Sequence, residues 1–295
     1  MAASATTRSR VASEMTKSTL ESAMISCWAA WTMTTLSVNP ATMNFLVTRE
    51  ATRYLRVPEM ITFTVVTGID TIYGQSGGDT VFGEDDDDLI VGAYGDDEIY
   101  GGGGEDNIFA GFEEDLVYGG DGDDVMRGEG QADTLFGGDG EDVITGGTGR
   151  DEMFGDGDND TLYGQGGADD IEGGAGNDSI YGGESNDVLS GGIGDDFLSG
   201  GNGNDSITGG AGNDTMYGNA GNDHFIFNDT DFGNDVIVGW KDGQDLFDFT
   251  NAGLSFSDFT VQAAGNDAVL TYTPTGASIV LVNTDISSID SFDFL

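Results

Sequence analysis

Aspartate is the residue type whose spacing in this sequence could do chemistry. It recurs every nine residues, eighteen times, without a gap. The positions are Asp70, Asp79, Asp88, Asp97, Asp106, Asp115, Asp124, Asp133, Asp142, Asp151, Asp160, Asp169, Asp178, Asp187, Asp196, Asp205, Asp214 and Asp223. An apolar residue follows each aspartate by two positions, and a glycine precedes each by five, except at Val65 and Ala110. The unit reads G-G-x-G-x-D-x-U-x, where U is apolar, and so short a fixed period predicts a solenoid.

The nonapeptide also predicts the local structure of each repeat. Its glycine-rich first part can take the positive φ values that a tight turn needs, and the x-U-x segment is expected to be a short strand with U on one face. Two nonapeptides then close one coil of 18 residues. We therefore predict an all-β fold, a right-handed parallel β-roll of about nine 18-residue coils. The aspartates form two ladders, Asp70 through Asp214 and Asp79 through Asp223.

Stacked carboxylates need a counter-ion. At a spacing of about 4.8 Å they repel one another, and a thin column of U side chains is too small a core to hold such a fold alone. Calcium prefers hard carboxylate and carbonyl oxygens. We therefore expect Ca²⁺ between stacked turns, bound by the aspartates at i and i+18 and by backbone carbonyls. Eighteen aspartates in two ladders allow at most about 16 such sites.

The glycines of the later repeats are the expected carbonyl ligands, because their turns keep the full motif. They are Gly174, Gly176, Gly192, Gly194, Gly201, Gly203, Gly210 and Gly212. In five repeats another residue replaces the fourth-position glycine, and weaker sites are expected there. These residues are Asp86, Glu113, Gln131, Asp158 and Ser185.

Charge excludes several classes of partner. The net charge is −45, and residues 61–223 hold 39 acidic residues against two arginines. Such a field repels nucleic acid and anionic membranes and attracts cations. The apolar run over residues 23–38 is too short and polar for a membrane span. Cys27 is the only cysteine, so no disulfide can form within the chain.

Composition divides the chain into three parts. Residues 1–60 contain six of the nine lysine and arginine residues. They are expected to be a low-order leader or, as the favoured alternative, an extension assigned in error upstream of the true translation start at Met60. Residues 61–226 are the predicted β-roll. In residues 227–295 the period stops, and several β-like runs separated by turns predict a small β-sheet cap over the last coil. The acidic, aromatic tail closes this part.

Catalysis is not expected. His224 is the only histidine, so the sequence lacks the H-E-x-x-H pair of a zinc protease and a credible triad base for the serine in Gly74–Gly78. Position nine of the repeat is often aromatic, as at Tyr73 and Phe82. Such side chains would stack outward along the sheet, or alternatively form a stripe that binds carbohydrate or a partner.

The repeats resemble those of the RTX (hemolysin-type calcium-binding repeat) proteins over residues 65–295. The segment from Asn228 to Phe249, with Gly233-Asn234-Asp235 and Trp240 through Asp245, is similar to the cap of serralysin-like proteases. The resemblance implies a secreted or cell-surface protein that folds on extracellular Ca²⁺ and leaves through type I secretion machinery by an uncleaved C-terminal signal. The ending Asp293-Phe294-Leu295 matches that signal in part.

Three functions stay open. The favoured one is a non-enzymatic, calcium-folded extracellular repeat protein. The alternatives are the targeting and folding half of an exoenzyme whose catalytic part is absent, or a surface adhesin.

Overall fold

The computed structural model describes residues 43–48, 53–58, 61–66, 68–230 and 232–295. It is an all-β parallel solenoid, as the repeat predicts. Its strands are β1 Met43–Thr48, β2 Arg53–Pro58, β3 Ile61–Val66, β4 Thr71–Ser76, β5 Thr80–Asp85, β6 Leu89–Tyr94, β7 Glu98–Gly103, β8 Asn107–Phe112, β9 Leu116–Asp121, β10 Val125–Gly130, β11 Thr134–Asp139, β12 Val143–Thr148, β13 Glu152–Gly157, β14 Thr161–Gly166, β15 Asp170–Ala175, β16 Ser179–Glu184, β17 Val188–Ile193, β18 Phe197–Asn202, β19 Ser206–Ala211, β20 Thr215–Ala220, β21 His224–Ile226, β22 Asn234–Val238, β23 Leu246–Asp248, β24 Phe259–Ala264, β25 Asp267–Tyr272 and β26 Ser278–Val282.

Two parallel sheets run the length of the molecule. The odd-numbered strands β1 to β23 form one sheet, and the even-numbered strands β2 to β22 form most of the other. In the repeats each strand pairs with the one 18 residues away, so Leu135 lies beside Met153 and Ile144 beside Leu162. Two nonapeptides therefore make one coil, and β4 to β21 make the nine predicted coils.

The U residues form the core. Their side chains lie between the two sheets in a single column, and all are buried. The column is Ile72, Val81, Ile90, Ile99, Ile108, Val117, Met126, Leu135, Ile144, Met153, Leu162, Ile171, Ile180, Leu189, Leu198, Ile207, Met216 and Phe225. The alternation of one buried and one outward residue in each strand follows from the pleat.

Most strands in the repeats are six residues long, twice the predicted x-U-x length. Each runs on through the first three residues of the next turn. The backbone there also bonds to the next coil, as where Gly77 N–H donates to the Tyr94 carbonyl at 2.8 Å. Sequence pattern misses this extension because glycine-rich segments carry no strand signal of their own.

Two strands, β1 and β2, lie within residues 1–60. β1 pairs with β3 and β2 with β4, both in parallel and each extending one sheet. These twelve residues form strands, and the assignment of residues 1–60 as a low-order leader or an upstream extension stays a prediction. The backbone of the first coils offers free strand edges, and pairing to an edge needs no particular side-chain motif. The rest of residues 1–60 lies outside the described residues, and the idea of a start at Met60 stays a prediction.

The cap is continuous with the solenoid. β22 and β23 each add one parallel strand to one of the two sheets. In the sheet of β22, β26 pairs with β22 in parallel, β25 pairs with β26 in antiparallel orientation, and β24 pairs with β25 in antiparallel orientation. Two short 3₁₀ helices, Phe256–Asp258 and Ile286–Ser288, complete it. Within the described residues, no helix has the length and apolar character needed to cross a membrane.

Candidate metal centre

The repeat aspartates point inward and bond from coil to coil. The backbone N–H of each aspartate donates to Oδ1 of the aspartate 18 residues later, at 2.7–3.1 Å, in sixteen consecutive pairs. The accepting residues run from Asp88 to Asp223. The structure therefore assembles the eighteen predicted residues into the two predicted ladders.

The second oxygen of each carboxylate is buried without a hydrogen bond. From Asp88 through Asp223, Oδ2 has no hydrogen-bond partner among the described residues, and these side chains are at most 4% exposed. A buried, unpaired carboxylate oxygen costs several times what an ordinary hydrogen bond contributes, because a charge has lost its water. Sixteen of them in two rows indicate that a ligand of the carboxylates belongs there.

Burial also changes how these carboxyls titrate. It raises the pKa of Asp97 to about 7 and that of Asp115 to about 8, and repulsion from neighbouring aspartates adds to the effect. The pKa of Asp151 is raised to about 6 for the same two reasons. The backbone N–H donated to each carboxylate pulls its pKa down, but less than burial raises it. The charged ladders are therefore unfavourable without a cation.

The glycine turns bring carbonyl oxygens close to the next coil. A Cβ atom added at Gly194 would lie 1.6 Å from the carbonyl oxygen of Gly176, and one added at Gly192 would lie 2.1 Å from that of Gly174. All eight predicted glycines have positive φ, between 108° and 154°. No backbone hydrogen bond to the carbonyls of Gly176 and Gly194 is found among the described residues. These oxygens are available to a cation.

The donors present fit calcium. Among the described residues, no group of three or more His, Cys, Asp or Glu side chains is placed to hold a metal. Each rung of a ladder brings two carboxylates, so the other ligands would have to be backbone carbonyls. Calcium takes 6–8 oxygen ligands in a flexible arrangement, and when bound it would supply the positive charge that the ladders lack. The aspartates and glycine carbonyls of stacked turns would hold it.

The five repeats without a fourth-position glycine keep the same turn. Asp86, Glu113, Gln131, Asp158 and Ser185 have φ between 72° and 86°, in the left-handed region. Such a conformation costs a non-glycine residue roughly 1–2 kcal/mol. The backbone of the turn is thus preserved at a cost in stability, and weaker calcium binding in these repeats stays a prediction.

Sequence reasoning missed two aspartates in the cap. Asp235 accepts the N–H of Asp214 at 3.0 Å, and Asp245 accepts that of Asp223 at 3.1 Å. Both are 1% exposed, so they add a further rung to each ladder. Their segments read G-N-D-V-I-V and G-Q-D-L-F-D, the last six positions of the repeat. Extra residues ahead of each segment break the nine-residue period, but a search for G-x-D-x-U-x alone would have found them.

Comparison with known proteins agrees with this geometry. The family model for the RTX calcium-binding nonapeptide repeat matches seven overlapping segments between residues 66 and 225, more than half of the chain. The chain belongs to this family. The RTX repeats account for the solenoid and support calcium binding at its turns. No curated protein matches the chain.

Two solved structures are similar to parts of the RTX chain. One is the extracellular lipase LipA from Serratia marcescens, with 18% identity and a TM-score of 0.31; the match covers 62% of this chain and 40% of the lipase. The other is the AlgE6R3 subunit of the Azotobacter vinelandii mannuronan C5-epimerase, with 24% identity and a TM-score of 0.26. That match covers 48% of this chain and 79% of the subunit.

Proposed function

We propose that this chain is a secreted, non-enzymatic RTX protein whose solenoid folds when extracellular calcium binds between its stacked turns. The observation that carries the proposal is the double row of buried Oδ2 atoms without hydrogen-bond partners, Asp88 through Asp223. Calcium would neutralise these carboxylates in pairs, at up to about 16 positions. Binding and folding are then one event, because the paired oxygens exist only in the coiled chain.

Export through a type I system is the second part of the proposal. At low calcium inside the cell, repulsion between ladder carboxylates would keep the chain extended, which suits passage through a narrow channel. Outside the cell, the repeats would bind calcium with dissociation constants of roughly 10⁻⁴ to 10⁻³ M, as extracellular calcium modules do. The chain would then fold. The acidic C-terminal segment ending in Asp293-Phe294-Leu295 would supply the export signal.

A calcium titration tests the central claim. Far-ultraviolet circular dichroism of the chelator-treated chain should show coil, and calcium should convert it cooperatively to β-structure. Magnesium is the control, because it demands a tight octahedral shell and keeps its waters; it should leave the chain unfolded. An equal β-signal in chelator and in calcium would refute calcium-driven folding.

A further inference from the structure

The two ladders end differently in the cap. At the Asp214 end, the turn at Gly233 stacks on the last coil as one repeat stacks on another. Gly233 has a φ of +79°, and a Cβ atom added there would lie 1.6 Å from the carbonyl oxygen of Gly212. The next residue, Asn234, donates its N–H to Oδ1 of Asn213 at 3.1 Å. This is the same bond that fifth-position residues make between coils, as where Asp195 donates to Asn177 at 2.7 Å.

The carboxylates at this end resemble those of an ordinary rung. Oδ2 of Asp214 is buried and has no hydrogen-bond partner in the part of the chain that the structure describes. Asp235 is 1% exposed and accepts the Asp214 N–H through Oδ1, and among the described residues no hydrogen bond to its Oδ2 is found. Two buried carboxylates, a stacked turn and its carbonyl oxygens are therefore present together, as in the repeats.

At the Asp223 end the second turn does not stack. Gly243 also has a positive φ, +70°, but an added Cβ atom would meet nothing within 4 Å. The turn closes on itself instead, with the N–H groups of Gln244 and Asp245 donating to the carbonyl of Lys241 at 3.1 and 3.0 Å. Oδ2 of Asp245 accepts the Lys241 N–H at 2.8 Å. Both oxygens of this carboxylate are thus satisfied by the protein.

A positive charge stands at this second end. Lys241 is the only lysine or arginine beyond Arg150. Its ammonium group donates to the carbonyl oxygen of Asn219, a residue of the turn that leads into Asp223. The ammonium therefore engages a backbone oxygen of the kind proposed to bind calcium in the repeats, and its positive charge also acts favourably on the Asp223 carboxylate.

We propose that the two ladders end on different cations. Asp214 and Asp235 hold one further calcium ion between the last coil and the cap, whereas the Lys241 ammonium takes the place of calcium at Asp223 and Asp245. This inference rests on the proposed calcium-dependent folding. It assigns the molecule a calcium site that the last coil and the cap share.

Counting bound ions by native mass spectrometry of the full chain in calcium tests the inference. Asp235→Asn keeps the Oδ1 acceptor and removes the charge, and should bind one calcium ion fewer than wild type. Asp267→Asn is the matched control, because Asp267 also lies in the cap and accepts a backbone N–H, from Asn283 at 2.8 Å, but belongs to neither ladder. Asp245→Asn should also leave the number of ions unchanged.

Other numbers of bound calcium ions would refute specific parts of the proposal. Equal counts in Asp235→Asn and Asp267→Asn would overturn the site at Asp235, and loss of an ion in Asp245→Asn would overturn the role of Lys241. If circular dichroism shows that Asp235→Asn loses the cap fold, Asp235→Glu should regain both the fold and the ion; recovery of the fold without the ion refutes the site. Absence of calcium from the wild-type chain would instead refute the proposed function itself.

Discussion

The two carboxylate oxygens of each ladder aspartate make different contacts. Oδ1 accepts a backbone N–H from the preceding coil, and this bond fixes the direction of the carboxylate. Oδ2 faces the first-position glycine of its own repeat: a Cβ atom added at Gly182 would lie 2.4 Å from Asp187 Oδ2 and 2.6 Å from the carbonyl oxygen of Gly200. Gly182 does not have a positive φ, so glycine is needed there for space and not for backbone conformation.

Gly182→Ala should therefore weaken calcium-dependent folding. The added methyl must displace Asp187 Oδ2 or the neighbouring backbone, and overpacking of this kind costs roughly 1–3 kcal/mol. We expect a higher calcium concentration at the folding midpoint, measured by circular dichroism. Gly166→Ala is the control, because a Cβ atom there has only one neighbour within reach, the Gly147 carbonyl oxygen at 4.0 Å; it should change the midpoint little. Equal midpoints in the two variants would contradict the argument.

Ala110 is a natural counterpart of that variant, because it already carries a methyl group at the first position. The ladder bond beside it is intact, with Asp97 N–H donating to Asp115 Oδ1 at 2.8 Å. A methyl group at the first position is therefore compatible with the Oδ1 bond, and Asp115 remains buried, at 4% exposure.

At the scale of elements, the outward side chains of the repeats form stacks of rings. Phe82, Tyr100, Tyr118, Phe136 and Phe154 follow one another along a sheet, with centroids 4.7–4.9 Å apart and planes within 8° of parallel. The ring faces lie against one another and only the edges point outward. A sugar would need a free ring face, so this arrangement favours the outward stacking reading over a carbohydrate-binding stripe.

Tyr118→Ala should destabilise the calcium-loaded solenoid. It removes two ring pairs, with Tyr100 and Phe136, each worth roughly 0.5–1.5 kcal/mol. The expected loss is therefore about 1–3 kcal/mol, read from urea unfolding in saturating calcium. Tyr118→Phe keeps both rings and should match wild type. If the alanine variant is as stable as the phenylalanine one, the stack contributes nothing measurable.

The elements that sequence predicts are those tied to the nine-residue period. That period places the ladders, the U column and the coil of two repeats, because a solenoid maps equal spacing onto equal position. It does not reach β1 and β2, which pair through backbone without a motif. It also fails at Asp235 and Asp245, because added residues loop out of the coil and leave the ladder intact. Tertiary stacking restores the register that the sequence spacing has lost.

At the scale of the whole molecule, charge is unevenly distributed along the solenoid. Many fifth-position residues with a carboxylate or amide side chain accept a backbone N–H from the coil 18 residues later, as where Glu105 donates to Asp87 at 3.0 Å and Asn204 to Asn186 at 2.7 Å. In the first coils these acceptors are mostly acidic, whereas in the later coils they are mostly asparagine. Carboxylate and amide make the same bond, but only the carboxylate repels its neighbours. Repulsion in the metal-free chain is therefore greatest in the first coils.

Protons should be able to replace calcium in part. Burial, followed by repulsion between aspartates, raises the pKa of residues such as Asp97, Asp124 and Asp196 from 3.8 to about 7 in the coiled chain. Since the compact form binds protons more tightly than the unfolded form, its stability without calcium is greatest below pH 3.8 and is lost as the pH rises through about 6 to 8.

The chelator-treated chain should therefore gain β-structure on acidification. We expect coil at about pH 8, and a β-signal that grows as the pH falls through the range of the raised pKa values and disappears on return. Circular dichroism at low protein concentration, kept above the isoelectric point of 4.1, measures this, and light scattering separates folding from aggregation. In saturating calcium the same scan should begin from a fully folded chain. A chelated chain that stays coil down to about pH 5 would show that charge repulsion is not what keeps the ladders apart, because protonation removes that repulsion without adding any bridge.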